Sequence, residues 1–118
     1  MSERRVVITG IGIVTPLGND LNTFWQNLLA GKSGIGPVTR FDTKDFDCKI
    51  GGEVKDFKAD AYMPAKETRR TDRFVHYACG AARMAVADAR LELDKQDLTR
   101  VGCLVGSGIG GMETIEEQ

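Results

Sequence analysis

The sequence predicts an α/β layered fold with parallel strands, and three observations carry that prediction. Val6, Val7 and Ile8 form a continuously apolar, β-branched run, the pattern of a strand covered on both faces rather than one. A second apolar run, "VGCLV" at residues 101–105, has the same character and also leads into glycine. Between and after these runs lie stretches of helical periodicity, so the order along the chain is β, α, irregular, α, β, α.

The first run is expected to be a central strand that ends at Gly10 and Gly12. Asn19 and Asp20 then offer side-chain caps to a helix in which Leu21, Phe24, Trp25, Leu28 and Leu29 fall on one apolar stripe. Gly31 supplies its stop. Residues 34–60 are irregular, with Pro37 and scattered phenylalanines, and "KIGGEV" at 49–54 is the one alternating piece, readable as a short edge strand. Pro64 marks a helix start. A longer helix follows over about 71–91, where Phe74, Ala78, Ala81, Ala82, Ala85 and Ala89 share a side that lets another backbone come close. "LELDKQDLTR" is a polar connection with room for a single helical turn, and "METIEEQ" begins a helix with acidic residues in its first turn. That helix has no apolar second turn and no stop signal. The expectation is that residues 1–118 form the first part of a half-domain within a longer chain.

The 118 residues fit one domain of ordinary size. With 42% hydrophobic and 28% charged residues, the composition is that of a soluble globular protein rather than a disordered one. A net charge of -1 gives no bulk attraction to nucleic acid or anionic lipid, so an electrostatic partner must be met by a local patch. No apolar run has the length of a membrane span, and Gly10 arrives too soon for a secretory leader. Cys48, Cys79 and Cys103 are odd in number and not in C-x-x-C spacing, which argues against a disulfide framework or a zinc site. A cytoplasmic protein with reduced thiols, no metal and no cofactor is expected.

Four motifs invite chemistry. "VGSGIGG" at 105–111 places G-x-G-x-x-G between an expected strand and an expected helix, as in dinucleotide sites. Such sites use an acidic residue ~20 positions later for the ribose. Only seven residues follow Gly111, and the first strand's own glycines fail the pattern at Thr15. A dinucleotide-binding module is therefore the weaker alternative. Glycines that turn a strand into a packed helix account for the run better, and they leave Ile109 isolated, able to project into a cavity and set its depth. Gly31-Lys32-Ser33 lacks the P-loop's first glycine, since position 26 is Gln26, and it follows a helix where a phosphate cradle must precede one. His76 and Cys79, three apart on a helix, are a possible base and nucleophile, but a mid-helix thiol among alanines is ordinarily a small buried hydrophobe. Finally, "PAKETRRTDR" carries Lys66, Arg69, Arg70 and Arg73, which at helical spacing make a basic face. A solvated surface is the default, an acidic protein the best partner. The patch has no interleaved aromatics for nucleic acid.

Taken together and in order, "RRVVITGIGIVTPLGND", "FWQNLLAGKSGI", "RFD", "KETRRTDRF" and "VGSGIGG" resemble the N-terminal region of the β-ketoacyl-acyl-carrier-protein synthases, closest to the type II condensing enzymes. The resemblance runs the length of the chain. It implies a thiolase-like fold, layered α-β-α-β-α, in a homodimer. It also implies chain elongation in fatty acid biosynthesis by decarboxylative Claisen condensation of an acyl thioester with malonyl-acyl-carrier-protein. A polyketide ketosynthase, or its non-catalytic chain-length partner, is the alternative. In that family the nucleophilic cysteine, two histidines and a lysine all come later than the region matched here. The resemblance thus puts no catalytic residue within 1–118 and denies that role to His76 and Cys79. By position it assigns Ile109 and Gly108 to the acyl pocket, and Lys66, Arg69 and Arg70 to docking of the acidic acyl carrier protein.

Overall fold

The computed structural model describes residues 3–118, which divide into two units. The first unit combines residues 3–12 with 59–118, and the second is Ile13–Lys58.

In the second unit, helix α1 (Leu21–Leu29) starts and stops where its end residues dictate. The Asp20 carboxylate accepts the Thr23 N–H at 2.8 Å, a cap on one of the orphan donors of the first turn. At the other end Gly31 takes φ +66, its N–H bonds Leu28 O and the Lys32 N–H bonds Asn27 O, both at 3.0 Å. This paired closure needs a left-handed residue, which glycine adopts without strain. The apolar stripe is present, but Leu21, Trp25, Leu28 and Leu29 all remain exposed.

Strands β1 (Ile35–Pro37) and β2 (Ile50–Gly52) form a two-stranded antiparallel ladder with Gly36 opposite Gly51. The half-foreseen "KIGGEV" piece is thus a strand, and its partner is the segment after the helix stop. Glu53 pins the turn beyond β1. Its carboxylate accepts the Thr39 N–H at 2.9 Å, the Thr39 hydroxyl at 2.7 Å and the Arg40 N–H at 3.2 Å. Asn27 and Asn19 donate side-chain amides to Leu17 O and Lys55 O, both at 2.6 Å.

In the first unit, a short helix α2 (Ala65–Thr68) follows Pro64, and the long α3 (Arg73–Asp88) follows Asp72. A six-residue α4 (Met112–Glu117) follows the glycine-rich segment. The alanine side of α3 does what its composition predicts. A Cβ on Gly12 would lie 2.7 Å from Ala85 N and 2.8 Å from the Ala81 carbonyl carbon, and one on Gly10 would lie 2.5 Å from Ala89 N. Backbone therefore rests on backbone there, and the Ile11 N–H donates to Asp88 Oδ2 at 2.9 Å.

Two expectations are corrected. Residues 6–8 and 101–105 were expected as buried parallel strands, yet among the described residues the only sheet is the antiparallel β1–β2 pair. Val6 is 94% exposed, Ile8 83% and Leu104 99%, and among the described residues no hydrophobic side chain is buried. An apolar β-branched run reports what a segment is suited to become, whereas a strand exists only with a neighbour to complete its ladder. The long helix is also shorter than expected, 73–88 instead of 71–91, because Asp72 is extended at ψ 165 and Arg90 turns left-handed at φ 50.

Candidate functional site: the basic corner and the glycine-rich segment

The basic residues sit where α2 ends and α3 begins. Pro64 O accepts the N–H groups of Glu67 and Thr68 and the Thr68 hydroxyl, which completes only one turn. The Arg69 N–H still reaches Ala65 O at 3.3 Å, but the Thr71 hydroxyl then takes Glu67 O at 2.8 Å and the chain leaves the helix. Lys66, Arg69 and Arg70 are exposed on this corner, and none of them forms an ion pair among the described residues. The expected continuous face with Arg69 and Arg73 four apart is not formed, since the helix breaks between them. Arg73 belongs to α3 and pairs with Glu113 at 3.0 Å. Three uncommitted cations remain.

His76 has a structural engagement. Its Nε2 lies 3.0 Å from Thr68 O, so that nitrogen carries the proton as donor to a carbonyl and ties α3 to the end of α2. Cys79 is half-buried on the same helix. Gly31 of the Gly31-Lys32-Ser33 triplet is the helix stop of α1, with no strand before it.

The glycine-rich segment is held at its C-terminal end. Gly110 has φ +88, and a Cβ there would stand 3.6 Å from the Phe74 ring. Gly111 has an ordinary φ of -82, but a Cβ on it would fall on the Asp72 carboxylate, 3.0 Å from its carboxyl carbon. Asp72 occupies the N-cap position of α3 yet makes no side-chain cap bond. A capping carboxylate ordinarily contributes ~0.5–2 kcal/mol. Instead Oδ1 accepts the Thr114 hydroxyl at 2.7 Å, and Oδ2 is shielded from solvent without a hydrogen-bond partner. With Arg73–Glu113 alongside, three consecutive residues at the start of α3 contact the 110–114 stretch. The free end is different. Ile109 is 74% exposed, and a Cβ on Gly108 would meet no atom within 4 Å.

The two groups of site residues lie on different segments, the cations on the α2 corner and Ile109 with Gly108 before α4. Asp72 was missed by sequence reasoning. An Asp before a helix reads as that helix's own cap, and no local pattern signals that its carboxylate faces a segment forty residues away.

The chain belongs to the β-ketoacyl synthase family: the model described as "Beta-ketoacyl synthase, N-terminal domain" matches residues 3–118. Among curated relatives, the chain is 47% identical over 118 residues to the 3-oxoacyl-[acyl-carrier-protein] synthase 2 of Synechocystis sp., covering 100% of this chain and 28% of that protein. It is 50% identical over 117 residues to the protein of the same name from Coxiella burnetii, covering 99% of this chain and 28% of that one. The chain therefore spans 28% of the length of these relatives.

Solved structures agree. A chain from a type II polyketide synthase acyl-carrier protein in complex with its ketosynthase, bound to the hexaketide, superposes with a TM-score of 0.75 at 30% identity, over 97% of this chain and 29% of that one. A chain of the ishigamide ketosynthase/chain length factor gives 0.69 at 40% identity, over 79% and 23% respectively. The fold is accordingly the α/β, thiolase-like fold of ketosynthases, as the resemblance implied.

Proposed function

We propose that the full-length protein is a 3-oxoacyl-acyl-carrier-protein synthase that elongates fatty acyl chains by decarboxylative Claisen condensation with malonyl-acyl-carrier-protein. The observation that carries this reading is identity of 47–50% to proteins of that name along the entire chain. The reaction joins an acyl group held as a thioester to the carbanion left when the malonyl group loses carbon dioxide. Its physical needs are an activated thiolate and preorganised donors for the developing negative charge. His76 Nε2 is engaged by a backbone carbonyl, which supports placing those groups beyond residue 118. No cofactor enters this reading, and the protein acts as a cytoplasmic homodimer.

Within 1–118 the contribution is recognition. Lys66, Arg69 and Arg70 dock the acidic acyl carrier protein, supported by their exposure and by a structural relative described in complex with its acyl-carrier protein. Ile109 and Gly108 form part of the acyl-pocket wall. The polyketide alternative is favoured by one observation, the likeness to polyketide ketosynthase structures, but at 30–40% identity it is the more distant kinship. The test is direct. Full-length protein given acyl- and malonyl-carrier-protein should release 3-oxoacyl product, and residues 1–118 alone should release none; product from the fragment, or none from the full chain, overturns the reading.

A further inference from the structure

We infer that Asp72 is a positioning residue that sets acyl chain-length selectivity without touching the acyl chain, by clasping the segment that carries Ile109. The inference rests on the reading of Ile109 as pocket wall. Three observations point the same way. Asp72 stands at the N-cap of α3 but leaves its own helix uncapped. Its Oδ1 accepts the Thr114 hydroxyl at 2.7 Å, across forty-two residues of chain. Gly111 then comes so close to the carboxylate that a Cβ there would displace it, although its φ of -82 is one that any residue adopts.

A side chain at 111 would push the Asp72 carboxylate out of its place, and Asp72 is turned toward 111–114 at the expense of its local role. Phe74 beneath Gly110 and the Arg73–Glu113 pair complete the hold on that side. Ile109 lies one residue before the fixed stretch and is 74% exposed. Its position is therefore inherited from the clasp. A wall whose anchor is loosened yields to a longer chain, whereas a fixed one does not.

The experiment uses the full-length enzyme and compares kcat/KM for hexadecanoyl- and hexanoyl-carrier-protein primers. Asp72→Ala is expected to raise the long-to-short ratio roughly fivefold, about the effect of one lost hydrogen bond. The change should lie in KM for the long primer, with kcat for the short primer retained, a split that general destabilisation does not produce. Asp72→Asn, which keeps an acceptor for Thr114, should restore most of the native ratio. Thr114→Val removes the same bond without altering the start of α3 and must shift the ratio in the same direction, which keeps the test decisive if Asp72→Ala folds poorly. Ile109→Phe is run beside them. If it changes the ratio and neither Asp72→Ala nor Thr114→Val does, the positioning role alone is overturned. If Ile109→Phe changes nothing, the pocket-wall reading fails and this inference fails with it.

Discussion

Gly12→Ala is the sharpest structural perturbation available outside the site. The added Cβ would lie 2.7 Å from Ala85 N and 2.8 Å from the Ala81 carbonyl carbon, where non-bonded carbon atoms settle at ~3.5–4.0 Å. These obstacles, with the Ala81 carbonyl oxygen nearer still, are backbone of α3, so no rotamer change relieves them, and the segment must retreat by roughly 1.5 Å. The bond from the Ile11 N–H to Asp88 Oδ2, now 2.9 Å, would then pass beyond hydrogen-bonding reach. Overpacking of this kind costs ~1–3 kcal/mol, and the solvent-exposed hydrogen bond adds ~1 kcal/mol. The expected loss is ~2–4 kcal/mol. Urea denaturation of the full-length protein should show a lower midpoint at unchanged slope. Gly36→Ala is the control, since a Cβ there meets nothing within 4 Å of this chain, and it should stay within ~0.5 kcal/mol of the native protein. If the two variants unfold together, the close backbone packing on α3 is wrong.

Three further outcomes follow from the same geometry. Ile109→Phe in the full-length enzyme should exclude long acyl primers while short ones are still used; a chain-length profile identical to the native one counts against the pocket assignment. Reversing Arg69 and Arg70 to Glu should raise KM for carrier-protein substrates by roughly tenfold or more at low salt, because two cations become anions facing an acidic partner, and the gap should close as salt is added. A KM unmoved at low salt refutes docking at this corner. The Glu53 carboxyl is held below its ordinary value of 4.5 chiefly by the Thr39 N–H, then by the Thr39 hydroxyl. A depressed folded value means the bonds stabilise the β1–β2 turn above the unfolded value and are lost as pH falls through the folded one. Titration of Glu53 by NMR should therefore give a midpoint below 4.5, and Thr39→Val should move it upward; no movement would show the hydroxyl to be irrelevant.

What was legible in the sequence was local. Helix α1 announced both ends, Asp20 as cap and Gly31 as left-handed stop, because each is settled by contacts within one turn. The alanine side of α3 also announced a close approach, though not that Gly10 and Gly12 would make it. Residues 6–8 and 101–105 show the limit. Their apolar character was read correctly and their pairing was not, because a parallel ladder depends on a neighbour far away in sequence. The site followed the same division. Exposure of Lys66, Arg69 and Arg70 is what a charged corner after Pro64 requires; the residues themselves suggested an acidic partner there and a cavity for Ile109, whereas the acyl carrier protein and the acyl chain came only through resemblance. Asp72 was invisible because its residue type satisfies its local position while its side chain serves a distant one.

The glycines of "VGSGIGG" divide by physical cause, and the division bears on what the segment is for. Gly110 is favoured by its φ of +88, and Gly111 lies where a Cβ would displace the Asp72 carboxylate. Gly106 and Gly108 have no left-handed φ, and a Cβ at either would meet nothing within 4 Å. Neither the turn nor the packing of this chain calls for glycine at those two positions. A dinucleotide cradle would place its demands on the whole run and on an acidic partner farther along. Here the demand falls into two halves, one structural and anchored to α3, the other open and flanking Ile109. On the proposed reading of Ile109 as pocket wall, the anchored end would supply the fixed base and the two unconstrained glycines the room beside that side chain.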